Sequence, residues 1–72
     1  MRNIATIDFN DAESGDHALV IVRANDKVVA LALSHLQNGD IEIFFTATEC
    51  EEIIKALQEA LEETMSGEVD EA

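Results

Sequence analysis

The sequence predicts an α+β domain, a four-stranded antiparallel meander with one C-terminal helix packed on one face, in the order β-β-β-β-α. Three observations point to it. Four short segments rich in β-branched and apolar residues are separated by clusters of turn formers. Asn38-Gly39 is a strong hairpin signal between the last two of them. From Cys50 to Met65 the apolar residues recur at helical rather than strand spacing.

The first strand is expected over Met1 to Phe9, where Ala5, Ile7 and Phe9 alternate with Ile4, Thr6 and Asp8. The turn-forming run NDAESGD, residues 10–16, ends it. His17 to Ala24 (HALVIVRA) is dense in β-branched residues and forms the second strand. Asn25-Asp26 reads as a two-residue turn, because both residues tolerate positive φ. Lys27 to His35 returns as the third strand, and Asp40 to Phe45 (DIEIFF) follows Asn38-Gly39 as the fourth.

The helix begins at a capping box. Thr48 with Glu51 fits the pattern, and Thr46 is a second candidate, with Phe45 and Cys50 placed as a hydrophobic staple. Cys50, Ile53, Ile54, Leu57, Ala60, Leu61, Thr64 and Met65 then form one stripe. Gly67 occupies a C-cap position, so residues 1–66 are expected to form one domain and residues 67–72 a flexible acidic tail.

With these turns, Val22 pairs with Val29 and Val20 with Leu31, placing Val20, Val22, Val29, Leu31 and Leu33 on one side of the sheet. A two-residue Asn38-Gly39 turn adds Phe44 to that side. Ile41, Ile43 and Phe45 then go to the opposite side, with Leu19, Ile21, Ala30 and Ala32. The alanine side suits close approach of the helix. The valine side stays bare, and six sizeable apolar side chains exceed what a soluble monomer normally exposes. A second protein surface is expected to cover them, by default a copy of this chain in a homodimer. The alternative is a different register, with Leu33 and Phe44 lining a larger core.

Seventy-two residues allow a single domain, and a core of that size is marginal by itself. An apolar content of 47% argues against a disordered chain. Cys50 is the only cysteine, which excludes an internal disulfide. A lone thiol and an N-terminus without a long apolar region predict a reducing, cytoplasmic setting. The longest strictly apolar run, Val28 to Leu33, is too short to span a bilayer.

No cofactor or metal is expected. His17 and His35 have opposite parity in the register above, and no further Cys or His completes a zinc set. The acidic first loop lacks the EF-hand order. Ser14, Ser34 and Ser66 lie outside any nucleophile-elbow context, and no glycine-rich phosphate loop is present. The chain is therefore not expected to be an enzyme.

Charge carries the functional signal. The net charge is −12. Residues 1–36 contribute only −2 of it, whereas residues 37–72 set Lys55 against eleven carboxylates. Such a field rejects nucleic acid and anionic membrane and attracts a basic protein surface. Glu49, Glu51, Glu52, Glu59, Glu62 and Glu63 project away from the apolar stripe, and the last two oppose the helix dipole without local compensation. Lys55 has Glu51 and Glu59 within pairing distance along the helix. Carboxylates recurring every roughly 5–10 Å along a helix suit cationic side chains that otherwise bind a phosphate backbone.

In size, in lacking cysteine chemistry and in the glutamate-studded face from Glu49 to Glu63, the chain resembles the small acidic inhibitors encoded by phages and mobile elements. These include anti-CRISPR and anti-restriction proteins that act as DNA mimics. The resemblance implies an inhibitor that blocks a basic nucleic-acid-binding site on a partner. A dimeric structural or regulatory module, such as an antitoxin or immunity-type protein, is the alternative. There the acidity serves solubility or salt adaptation.

Overall fold

A computed structural model describes residues 1–71, with side chains described through Met65. Four strands, β1 (Arg2–Asn10), β2 (His17–Ala24), β3 (Val29–His35) and β4 (Gly39–Phe45), precede one helix, α1 (Ala47–Glu71). The strands form one antiparallel sheet in the order β1-β2-β3-β4. The α+β meander expected from the sequence is the architecture observed. The helix continues through Gly67, where a cap was expected. The acidic tail expected over residues 67–72 lies outside the residues whose side chains are described.

The turns depart from expectation, each for a local reason. Ala24 pairs with Val29, not Lys27, so the β2–β3 connection is four residues long. Asn25 does not adopt positive φ. Its Oδ1 accepts the backbone N–H groups of Lys27 (2.8 Å) and Val28 (2.9 Å), replacing the expected two-residue turn with a side-chain-braced one. The slip is by two positions, so every β2 and β3 residue keeps its face.

The β3–β4 connection has the larger effect. His35 pairs with Gly39, leaving a three-residue loop, and Gly39 takes φ +83° at the start of β4. His35 Nδ1 accepts the backbone N–H groups of Gln37 (3.1 Å) and Asn38 (3.3 Å), which holds the loop in this form. A loop one residue longer than expected reverses the faces of β4. Leu31 now faces Ile43 across the pair, and Leu33 faces Ile41. Phe44 pairs with Ala30 and so joins the alanine side, correcting its assignment to the valine side.

The valine face therefore holds Val20 and Val22 from β2, Val29, Leu31 and Leu33 from β3, and Ile41, Ile43 and Phe45 from β4. β1 adds Ala5, Ile7 and Phe9, opposite Val22, Val20 and Ala18. A register shift between Asn3 and Ala5 marks a bulge in β1. The opposite face is mixed. Arg23 pairs ionically with Glu42 across β3. Ser34 Oγ donates to Asp40 Oδ1 at 2.6 Å, and His17 Nε2 donates to Asp8 Oδ1 at 2.5 Å.

The helix does not pack across either face, which corrects the expected lid. No strand makes extended contact with α1. Its stripe residues Ile54, Leu57, Leu61 and Met65 are exposed, Leu57 at 64%. Only Ala18, Ala30 and Phe45 are buried among the described residues.

The cause lies in the junction. Phe45 ends β4 and Ala47 begins α1, so Thr46 alone connects them. Thr46 is also the cap. Its N–H donates to Glu49 Oε1 (3.0 Å), its Oγ1 accepts from Glu49 N (3.4 Å), and its carbonyl accepts from Cys50 N (2.9 Å). The capping box thus sits at Thr46 and Glu49, the second of the two candidates, rather than Thr48 and Glu51. The helix therefore starts one residue beyond the sheet, and the capping box fixes the direction in which it departs, clear of both faces.

A Cβ at Gly39 would meet no atom within 4 Å, so replacing it tests the backbone conformation alone. Gly39→Ala should lower the unfolding free energy by about 1–2 kcal/mol, the cost of a left-handed conformation for a residue with a Cβ. Gly39→Asn should cost less. Urea denaturation of the three proteins checks the order.

Candidate interaction surfaces

Two surfaces stand out, one charged and one apolar, and both follow from the helix leaving the sheet. At about 100° per residue, Glu51, Glu52, Glu59, Glu62 and Glu63 fall within one arc of about 120° on α1, roughly opposite the apolar stripe. All five are exposed. Lys55 lies in the middle of the arc and, among the described residues, forms no ion pair. Neither pairing expected for it, with Glu51 or with Glu59, is made. The arc's negative potential is thus left almost uncompensated.

Glu49 is the exception among the six predicted carboxylates. Its side chain closes the capping box with Thr46 and anchors the helix start. The structure gives it a structural task and brings the other five together.

The apolar surface is the valine face. Ile7 and Ile43, from the two outer strands, are 51% and 52% exposed. Leu33 and Ile41 are exposed as well, and the central Val20, Val22 and Leu31 are half-buried. The chain exposes 5849 Å² at a mass of 7.9 kDa. A compact monomer of that mass exposes about 4,400 Å². The Cα radius of gyration is 14.5 Å, against about 11 Å for a compact domain of this length.

A third cluster joins groups distant in sequence. Asp11 Oδ1 accepts the N–H groups of Glu13 (2.8 Å) and Ser14 (2.9 Å). His35 Nε2 lies 3.4 Å from Ser14 Oγ and 3.6 Å from Asp11 Oδ2. Serine, histidine and aspartate are all present, but the arrangement is not that of a nucleophilic triad. A triad aspartate orients the histidine through the nitrogen facing away from the serine. Here Asp11 and Ser14 share Nε2, while Nδ1 accepts backbone N–H groups. The cluster ties the β1–β2 loop to the β3–β4 loop.

Sequence reasoning missed this pairing, because only the register of β2 against β3 brings His35 beside the first loop. The usable signal was the strand order itself, which puts both loops at one end of the sheet. His17 and His35 do lie on opposite faces, as expected from parity. Among the described residues no group of three or more His, Cys, Asp or Glu is placed to hold a metal ion. Cys50 is a half-buried free thiol. No described helix is long and apolar enough to cross a membrane.

The backbone hydrogen bonds from Ser14 and Glu13 hold the Asp11 carboxyl below its ordinary value, with smaller help from the Ser14 hydroxyl and His35. A depressed carboxyl stabilises the fold fully above its unfolded pKa, about 3.9. That contribution disappears as pH falls through the lowered folded value. The stability difference between wild type and Asp11→Asn should therefore be constant above about pH 5 and shrink in acid. NMR titration of the Asp11 carboxyl, together with acid unfolding of both proteins, checks this.

No family model, curated protein or solved structure matches this chain.

Proposed function

We propose that this chain acts by binding, as a small acidic inhibitor that occupies a basic nucleic-acid-binding site on a partner protein. The observation that carries the reading is the carboxylate arc of α1: five exposed glutamates on one side of a helix that stands clear of its sheet, with one lysine among them. The arc lies roughly opposite the apolar stripe, so it faces outward and is open to a cationic surface whatever the stripe meets. Its charges recur on the scale of the phosphates that a cationic channel is built to hold. The valine face plays a separate part, joining two copies of the chain.

A second reading is favoured by the valine face itself. In that reading the chain is a dimeric structural or regulatory module, such as an antitoxin or immunity-type protein. Its specificity comes from apolar contact, and its acidity maintains solubility or suits a salt-rich cytoplasm.

Reversing the arc separates the two. The triple variant Glu59→Lys, Glu62→Lys, Glu63→Lys should fold normally by circular dichroism and lose the partner. Wild type and variant are used as baits in parallel at low and high KCl, and captured proteins are challenged with a double-stranded DNA oligonucleotide. Capture that needs the arc, weakens steeply with salt and yields to DNA supports inhibition by mimicry. Equal capture by both baits overturns it in favour of the apolar module. Strong stabilisation of the wild type by KCl points instead to salt adaptation.

A further inference from the structure

We propose that a second copy of this chain covers the valine face, and that the two copies exchange helices, the apolar stripe of each α1 lying along the valine face of the other. The proposal is independent of what the acidic arc binds. Four observations carry it.

The first is the tether. Thr46 is the whole connection between β4 and α1, and its capping box fixes the direction in which the helix departs. The helix so placed does not lie over its own sheet, which leaves an apolar stripe and an apolar sheet face exposed. One two-fold operation satisfies both in two copies at once.

The second is area. The excess over a compact monomer is about 1,400 Å² per chain. A standard interface buries about 800 Å² per partner, and obligate homodimers bury more. The excess is the amount an obligate dimer removes.

The third is fit. The stripe from Cys50 to Met65 is about 22 Å long. A seven-residue strand such as β3 or β4 is about 23 Å long. The one hydroxyl on the stripe is already satisfied, since Thr64 Oγ1 donates to the Ala60 carbonyl at 3.1 Å. The stripe therefore brings no unpaired polar group into the contact.

The fourth is charge. The net of −12 would oppose association of two copies if it were spread evenly. The residues that β2 and β4 contribute to the valine face carry no charge; β1 adds Arg2 at its start, opposite Ala24, and β3 adds His35 at its end, so no carboxylate lies on that face. The carboxylate arc lies on the far side of the helix, so exchange turns it outward on both copies. The other sheet face, with Arg23, Glu42, Asp40 and Asp8, offers no such surface.

Three measurements on the full chain test the proposal. Sedimentation across low to high micromolar concentration should give a species of twice 7.9 kDa. Leu57→Asp alters a side chain that is exposed in the single copy, so it is silent in a monomer. In the exchanged dimer it should raise the dissociation constant on the order of 100-fold. Should that variant fail to fold, isotope-filtered NOE spectroscopy on a mixture of 13C-labelled and unlabelled wild type decides. Contacts between Leu57 or Leu61 methyls of one copy and Val20 or Leu31 methyls of the other support the exchange. A wild type that stays monomeric overturns the proposal. So does a dimer whose intermolecular contacts join only valine face to valine face, or one that Leu57→Asp leaves intact.

Discussion

Most of what distinguishes this molecule traces to a single residue between sheet and helix. Thr46 is both the last connection out of β4 and the cap of α1, fixed by reciprocal hydrogen bonds with Glu49. Across this short, capped link the helix departs from the sheet and lies over neither face. The sheet keeps a bare apolar face, and the helix keeps a bare apolar stripe. Among the described residues only two alanines and one phenylalanine are buried. Leu19, Val20, Ile21, Val22, Val29 and Leu31 are half-buried within the sheet itself.

The same junction sorts the charge. Once the helix stands apart, its two sides have separate environments to satisfy. The apolar side is exposed without a covering surface from its own sheet, and the acidic side faces outward from it. With α1 running on to Glu71, Glu62 and Glu63 lie more than two turns from its end rather than in its last turn, and no described ion pair on α1 compensates the carboxylate row. Arg23 shows what a compensated charge looks like in this protein. It reaches across β3, over the small Ala30 and Ala32, to Glu42. The sheet resolves its charges in pairs, and the helix leaves them in a row.

Strand content, strand order and the helix were legible in the sequence, because each rests on local patterning. The errors arose where a side chain took over a turn. Asn25 and His35 both accept two consecutive backbone N–H groups and so set loop lengths that dipeptide preference alone does not reveal. The Asn25 loop changed the register by an even step, and nothing changed sides. The His35 loop changed it by an odd step, which moved Phe44 to the mixed face and brought Ile41, Ile43 and Phe45 to the valine face. The bare face was foreseen, and it proved larger and more uniformly apolar than foreseen. The glutamate arc was legible from helical periodicity, except that Glu49 belongs to the cap. The lid over the sheet was not legible, since spacing along a helix says which side is apolar and nothing about what that side meets.

The bulge between Asn3 and Ala5 has a consequence for how far assembly proceeds. A four-stranded meander has two unpaired edges, and a run of extended backbone at either one is a template for sheet growth from molecule to molecule. At β1 the bulge interrupts the regular spacing of free N–H and C=O groups, so a docking strand loses its ladder partway along. At β4 the Asp40 carboxylate borders the other edge and disfavours a second copy arriving there. Both edges of this greasy β-structure are thereby poor templates for fibril growth.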